Sequence, residues 1–174
     1  MERTTKKALL EAALFAHGGP VGLKELKEAS GLTEGELREL LEELSQEYRE
    51  RQGGLRISQV AQGYLMHTAA EHGAWAHALG ARQARERLSQ AALEALAIVA
   101  YKQPITKAEV EALRGVDSDG VLRTLLERRL IKVVGRKEVP GKPLLYGTTR
   151  EFLLQFGLKD LTELPTLKEL EREP

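Results

Sequence analysis

Four histidines and two glycine-rich turns are the parts of this sequence whose residue types could support chemistry. The histidines lack the i, i+4 spacing of two zinc ligands on one helix, and no carboxylate joins them in a metal-ligand pattern. They are His17, His67, His72 and His77. The turn Gly18-Gly19-Pro20 and the loop from Gly135 to Gly141 lack the Lys-Ser/Thr pair of a phosphate-binding loop. Because there is also no cysteine, the sequence predicts no catalytic residue, no metal site and no cofactor.

Length and composition favour a globular protein in two parts. The 174 residues are 42% hydrophobic and carry a formal net charge of zero. Two domains of about 85 residues would each be small, so contacts with partners would supplement their stability. No apolar run reaches the roughly 20 residues of a membrane helix, and Met1 to Lys7 is too polar for a signal peptide. These features predict a cytoplasmic protein.

An internal repeat organises the chain. At an offset of 84 residues and without a gap, residues of the first half match residues of the second. The identical pairs include Leu9/Leu93, Ala13/Ala97, Ala16/Ala100, Pro20/Pro104, Glu25/Glu109, Gly31/Gly115 and Leu41/Leu125. Because a repeat sets the architecture, we expect two copies of one small fold.

Both copies carry helix-start signals followed by extended segments. N-cap residues and capping boxes predict three short helices at the start of each copy; they are Thr33 with Glu36, Ser89, Thr106 with Glu109, and Asp117. After the third helix, alternating or β-branched residues around Gly63 and around Gly141 predict a hairpin in each copy. Three helices and a hairpin indicate an α+β, mostly helical fold of two tandem winged helix-turn-helix domains.

The predicted domain boundaries follow from these elements. They are an N-terminal winged-helix domain at 1–68, a connecting helix or linker at 69–87, a C-terminal winged-helix domain at 88–157 and a tail at 158–174. Ser118 to Arg150 holds eight Lys or Arg against three acids, whereas Glu151 to Pro174 holds three against six. A basic module is therefore followed by an acidic tail.

The charged residues of the third helix in each copy indicate whether that copy is suited to binding DNA. In the first copy, Thr33 to Arg51 contains seven Glu against three Arg, which would repel phosphate. In the second, Arg123 beside Glu127 is a poor reader of bases. Nearby cations could contact phosphates or form an ordinary solvated surface; they are Arg128, Arg129, Lys132, Arg136 and Lys137. A winged-helix DNA-binding regulator is the alternative function, whereas a hydrolase or ligand sensor would need a polar constellation that the sequence does not show.

The corner Tyr101-Lys102-Gln103-Pro104 favours protein recognition, because it combines an aromatic ring, a cation and a rigid proline. Alternatively, Tyr101 fills the local core and Pro104 sets the turn.

This corner also lies within a stretch of sequence that resembles a known family. The matching runs are LEALAIVAYKQPIT at 93–106, RGVDSDGVLRTLL at 114–126 and GKPLLYGTT at 141–149. They lie in the second half of the chain and resemble the segregation and condensation protein B family, ScpB.

The resemblance implies a noncatalytic subunit of the bacterial SMC condensin complex, acting in chromosome condensation and segregation during cell division. Such a subunit would be a nucleoid-associated homodimer that binds the kleisin ScpA. It would reach the SMC ATPase through the kleisin and chromosomal DNA mainly indirectly. The kleisin-binding residues expected from the resemblance and from exposure are Tyr101, Lys102, Pro104, Val116, Ser118, Asp119, Arg123, Lys142 and Tyr146. The residues expected at the dimer interface are Leu40, Leu44, Tyr48 and Trp75.

Overall fold

The described part of the chain forms α-helices and two small antiparallel sheets, which confirms the α+β prediction. The computed structural model describes residues 1–80, 87–166 and 169, without the side chain of residue 77. The predicted connector and tail therefore lie partly outside the described residues. The chain divides into two compact units, one of Met1–Ala84 with Gly157–Pro174 and one of Arg85–Phe156. Within the described ranges, no helix has the length and apolarity needed to cross a membrane.

The first unit has helices on a two-stranded hairpin. Its elements are α1 (Arg3–His17), α2 (Leu23–Ser30), α3 (Glu34–Glu50), β1 (Leu55–Val60), β2 (Gly63–Thr68), a 3-10 turn (Ala70–His72), α4 (Gly73–Gly80) and a second 3-10 turn (Leu161–Glu163). A two-residue turn joins β1 to β2, and both of its residues, Ala61 and Gln62, have positive φ (49° and 61°). Their amides donate hydrogen bonds to the carbonyls of Leu158 (2.8 Å) and Lys159 (3.0 Å). The start of the tail is thus bound to the tip of this hairpin.

The second unit has three helices and three strands before its closing helix. Its elements are α5 (Gln90–Lys102), β3 (Ile105–Thr106), α6 (Lys107–Arg114), α7 (Asp119–Glu127), β4 (Ile131–Arg136), β5 (Leu144–Thr148) and α8 (Arg150–Phe156). The strands are antiparallel in the order β3-β5-β4, so Tyr146 of β5 lies between Ile105 and Val133. In the first unit the place of β3 is taken by a single bridge between Val21 and Tyr64.

The capping boxes form as the sequence predicts. The Thr33 hydroxyl accepts from the amide of Glu36 (3.3 Å), whose carboxylate accepts from the amide of Thr33 (3.0 Å). Thr106 and Glu109 repeat this geometry at 3.3 and 2.9 Å. Asp117 differs from the prediction, because α7 begins one residue later and the Asp117 carboxylate accepts from the amide of Asp119 (3.3 Å). These bonds join residues two or three apart, so they form whenever the local backbone turns.

The two capping glutamates predict an acid-sensitive contribution to stability. A hydrogen bond from Lys6 to Glu36, and one from Lys137 to Glu109, together with the cap bonds, hold the pKa of each carboxyl at about 2. A folded-state pKa below the ordinary 4.5 means that this stabilisation is present above pH 4.5 and is lost as the pH falls toward 2. Glutamine can still accept the cap bond but cannot titrate. We therefore expect the double variant Glu36→Gln, Glu109→Gln to lose less stability than the wild type between pH 4.5 and 2.

Urea unfolding at several pH values checks this expectation. Both carboxylates are partly exposed, so solvent screening keeps the effect modest. The matched control is Glu28→Gln, which removes a carboxylate from a 4.0 Å surface pair with Lys24. The control should keep the acid dependence of the wild type. Equal acid dependence in the wild type and the double variant would contradict the assignment.

The repeat is not in one register throughout, because the turn after the first helix differs between the copies. Two glycines separate the end of α1 at His17 from Pro20. A single residue, Gln103, separates the end of α5 at Lys102 from Pro104. One extra residue in the first turn changes the rotation of the helix by about 100° relative to the ungapped alignment. The ungapped sequence alignment of the two copies therefore matches the prolines correctly, but it places the helices before them one residue out of register.

Burial supports the shifted register. Leu10 and Leu14 of α1 are each 1% exposed, and counting back from the helix ends they correspond to Ala95 and Val99, which are 0% exposed. The copies also diverge after the second helix, since α3 has 17 residues and α7 only 9. In contrast, Gly31 and Gly115 end α2 and α6 with the same left-handed φ of 70° and 74°.

Candidate protein-interaction surface

The corner after α5 separates side chains that face solvent from one that faces inward. Tyr101, Lys102 and Pro104 are exposed, Tyr101 by 36%. The Gln103 amide instead closes the junction with β5, because its Oε1 accepts from the Thr148 amide (2.8 Å) and its Nε2 donates to Thr148 Oγ1 (3.0 Å). Three of the four corner residues are thus exposed at the surface.

A shallow cleft of about 450 Å³ opens beside this corner. Its lining is Lys102, Pro104, Ile105, Glu109, Ala112 and Leu113, and we call it the α6 cleft. Leu113 is 57% exposed although it follows the fully buried Val110 by three residues on α6. That spacing is typical of a buried face, so sequence reasoning missed Leu113 as a surface residue. The cleft offers an apolar floor between one cation and one carboxylate.

The start of α7 carries an exposed charge network next to an apolar side chain. Asp119 accepts from Lys107 (2.8 Å) and from Arg123 (3.3 Å). The hydrogen bond from Lys107 lowers the pKa of Asp119, and the same bond raises the pKa of Lys107. Val116, just before this network, is 56% exposed. Val116, Asp119 and Arg123 are therefore accessible, as the sequence predicts, and the two charges are held in place.

Two residues predicted to bind the kleisin are internal, which corrects their assignment. Ser118 is 1% exposed, and its amide donates to Glu111 (3.1 Å) while its hydroxyl accepts from Arg114 (2.9 Å). Tyr146 is 8% exposed because it occupies the middle strand of the sheet. Lys142, in contrast, is exposed in the loop between β4 and β5, and its carbonyl accepts from Arg136 (3.0 Å).

Three of the four residues predicted at the dimer interface lie in the core of the first unit. Leu40, Leu44 and Tyr48 are 2%, 3% and 5% exposed. Their side chains are covered within one chain because α3 packs its apolar face on α1 and the hairpin, so they offer almost no surface to a second copy. Trp75 on α4 is 71% exposed and remains accessible.

Several glutamates on the acidic side of α3 bind α1 of the same chain. Ion pairs run between the two helices, and the Tyr48 hydroxyl donates to a carboxylate of α1. The pairs are Arg3 with Glu43, Lys6 with Glu36, and Lys7 with Glu47. The glutamates therefore serve helix packing as well as solubility.

Helix α1 presents an apolar surface that sequence reasoning did not identify. Leu9 is 49% and Phe15 is 74% exposed. The exposed residues on this side, which we call the α1 outer face, are Thr5, Ala8, Leu9, Ala12, Phe15 and Ala16. The signal in the sequence is the lack of any charge at these positions, which leaves α1 apolar on two sides.

Two histidines, His17 and His67, make local contacts, and several cations bind acceptors of the chain itself. His17 Nδ1 lies 3.0 Å from the carbonyl of Gly19, and His67 Nε2 lies 2.9 Å from Ser58 Oγ. Among the residues that the structure describes, no three His, Asp or Glu side chains are grouped to hold a metal ion. Lys137 forms an ion pair with Glu109. The sequence analysis considered Lys137 a possible phosphate contact, and the structure shows that it already has a partner within the chain.

Comparisons with known proteins identify the family of this chain. The family model described as segregation and condensation complex subunit ScpB matches residues 8–167. Segregation and condensation protein B of Syntrophotalea carbinolica is 50% identical over 169 residues, covering 97% of this chain and 85% of that protein. The protein of the same name from Moorella thermoacetica is 50% identical over 164 residues, covering 94% and 84%.

Among solved structures, ScpB from Mycobacterium tuberculosis is 35% identical, covers 91% of this chain and 98% of its own, and aligns with a TM-score of 0.45. The match of the family model to nearly the whole chain and the identity to curated relatives confirm the resemblance drawn from the three sequence runs. The chain belongs to the segregation and condensation protein B family, whose members are subunits of the segregation and condensation complex.

Proposed function

We propose that this chain is a noncatalytic subunit of the SMC–kleisin condensin complex, that it acts as a homodimer, and that it binds the kleisin ScpA. The observation that carries the proposal is family membership over residues 8–167. The exposed α6 cleft in the second unit is consistent with a binding role. ATP hydrolysis would belong to the SMC subunit, and contact with chromosomal DNA would be mainly indirect. The protein would work in the cytoplasm on the nucleoid.

We further propose that the two repeats are winged-helix domains, at 1–68 and 88–157, with 69–87 as the connector and 158–174 as the tail. The order of helices and strands in the second unit supports this proposal, as does its three-stranded sheet. In the first unit, the bridge between Val21 and Tyr64 takes the place of the short strand β3. A two-residue turn replaces the longer loop between β4 and β5, so only the second copy has an extended wing.

The kleisin surface that we propose combines the α6 cleft with the exposed residues on either side of it. Apolar side chains of ScpA would enter the cleft at Leu113 and Pro104, and Tyr101, exposed in the same corner, would extend the surface. Exposed apolar groups in a concave site contribute most of the energy when they become fully desolvated. Lys102 and the Asp119–Arg123 pair would contribute orientation and specificity more than affinity. Lys142 would lie at the rim.

Binding of purified ScpA to single variants tests the surface. We expect Tyr101→Ala, Leu113→Asp and Arg123→Glu each to weaken ScpA binding, and Leu113→Asp at least tenfold, about 1.4 kcal/mol. Leu161→Asp is the matched control, because Leu161 is also exposed (39%) but lies in the first unit. The control should bind normally, and circular dichroism should show every variant folded.

The outcomes separate this function from the DNA-binding alternative. If all three folded variants bind ScpA as the wild type does, the surface is wrong; if the wild type does not bind ScpA at all, the proposed function is wrong. Phosphate neutralisation gives affinity that falls steeply with salt. We therefore expect ScpA binding to change little between low and moderate salt, whereas tight DNA binding with a steep salt slope would favour the regulator.

A further inference from the structure

The turn between α6 and α7 differs from its counterpart in the first unit. After Gly31, two residues precede α3, whereas after Gly115 three residues precede α7. Leu32, the residue after the first of these glycines, is 8% exposed, and Val116, the residue after the second, is 56% exposed. The same kind of helix end is therefore followed by a buried apolar residue in one copy and by an exposed one in the other.

A buried arginine holds the longer turn. Arg114 is the last residue of α6, and its side chain is only 6% exposed. Its guanidinium donates to the Ser118 hydroxyl (2.9 Å) and to the Asp117 carbonyl (3.4 Å). It also lies 3.7 Å from a carboxylate oxygen of Glu94 on α5. Ser30, at the matched position of the first unit, is too short to tie a turn to a neighbouring helix in this way.

The Arg114 tie replaces the usual start of a helix. Ser118 is the N-cap of α7, yet it makes no capping bond, and its hydroxyl donates to the carbonyl of Val116 (3.3 Å). The backbone of Ser118 (φ −124°, ψ 8°) is not helical. The Asp117 carboxylate already accepts from the amide of Asp119, which is the bond of an N-cap one residue earlier. The tie thus explains why α7 begins one residue later than the sequence predicts.

This arrangement lowers stability in several ways at once. Within the part of the chain that the structure describes, Nε of Arg114 is buried without an acceptor, and a buried donor without a partner is destabilising. The capping bond of Ser118 is given up, and Val116 stays in water. Local rules that are broken together are typical of functional sites. The shape of this turn therefore favours recognition over stability.

We propose that Arg114 is a positioning residue, which holds the turn between α6 and α7 so that Val116 faces solvent as a contact for ScpA. The inference rests on the proposed function and adds a residue that does not itself touch the partner. Because the tie keeps Ser118 inward, the residues just before it turn outward. Without the tie, Ser118 becomes the first residue of α7 behind an Asp117 cap, and Val116 packs down as Leu32 does in the first unit.

A cysteine reporter measures the position of residue 116, because the chain has no cysteine of its own. In a Val116→Cys background, Arg114→Ser should slow the reaction with an aromatic disulfide reagent at least fivefold, since cysteine is readily buried. Ser118→Ala removes the hydroxyl that accepts from Arg114 and should slow the reaction in the same direction. Leu113→Cys is the matched reporter on α6, because Leu113 is 57% exposed and its reaction rate should not change.

Binding of purified ScpA tests whether Arg114 acts through Val116. We expect Arg114→Ser and Val116→Ala each to weaken ScpA binding at least fivefold. The double variant should bind as weakly as the single variants and no more weakly, because a residue that acts through another has no further effect once the other is truncated. Arg49→Ser is the matched control, since Arg49 is an exposed arginine paired with Glu42 on the first unit (3.3 Å). The control should bind as the wild type does.

The outcomes separate positioning from a merely structural role. Fully additive losses in the double variant overturn the proposal, because a structural arginine would add its own loss to that of Val116. An unchanged or faster reporter in both Arg114→Ser and Ser118→Ala overturns it as well, and so does a slower reporter with wild-type ScpA binding. If Arg114→Ser does not fold, Ser118→Ala takes its place in both measurements. A wild-type protein that does not bind ScpA overturns the proposed function, while the reporter still decides whether Arg114 positions Val116.

Discussion

Replacing Leu41 or Leu125 with alanine should lower the free energy of unfolding by about 2–5 kcal/mol each. The two leucines occupy matched positions of the repeat, on α3 and α7, and both are 0% exposed. Each truncation removes apolar contacts and leaves a cavity that the surrounding helices fill only in part. Urea unfolding of the full chain, followed by circular dichroism, measures the loss.

Leu113→Ala is the control for this prediction, since it makes the same chemical change at a leucine that is 57% exposed. A surface truncation of this kind should stay within about 0.5 kcal/mol. If Leu125→Ala costs no more than Leu113→Ala, the placement of Leu125 in the core of the second unit is wrong. The comparison also separates stability from recognition, because Leu113→Ala should affect ScpA binding without affecting unfolding.

Gln103→Ala should destabilise the second unit by about 1–3 kcal/mol, the cost of leaving partly buried polar groups without partners. The side chain ties the end of α5 to β5, since it bonds the Thr148 amide and hydroxyl and donates to the carbonyl of Ala100 (3.0 Å). Thermal or urea unfolding checks the loss. Gln90→Ala is the matched control on the same helix, because the Gln90 amide makes a long (3.5 Å), exposed hydrogen bond to Glu94.

A loss for Gln103→Ala no greater than for Gln90→Ala would contradict the role of Gln103 as a tie between helix and sheet. Gln103→Glu refines the result. It keeps an acceptor for the Thr148 amide but loses the donations to Ala100 and to the Thr148 hydroxyl. We expect its stability to fall between those of the wild type and Gln103→Ala.

The corner Tyr101-Lys102-Gln103-Pro104 has two roles. Tyr101 is exposed and Lys102 and Pro104 line the α6 cleft, while Gln103 between them holds the corner in shape. Gly147 is part of the same junction, since a Cβ there would lie 2.9 Å from Oε1 of the Gln103 side chain. Substitutions in this motif therefore act on binding or on folding, depending on the residue.

Local hydrogen bonding is what the sequence by itself determined most securely. The capping boxes at Thr33 and Thr106, the glycine helix ends at Gly31 and Gly115 and both hairpins involve residues close in sequence. Their partners are fixed by backbone geometry, so residue type and spacing are enough to predict them. Family membership could also be predicted from the sequence, because long matching runs of residues are far more specific than any single short motif.

Only the tertiary structure decided which side of each helix is covered. Tyr48 and Ser118 were predicted to contact partners but are buried, whereas Leu9, Phe15 and Leu113 are large apolar side chains that are exposed. One extra residue in the turn after α1 rotates that helix against the apparent repeat, and no local signal reports it. Burial depends on which distant element packs against a face, so it is a property of the assembled chain and not of the spacing of its apolar residues.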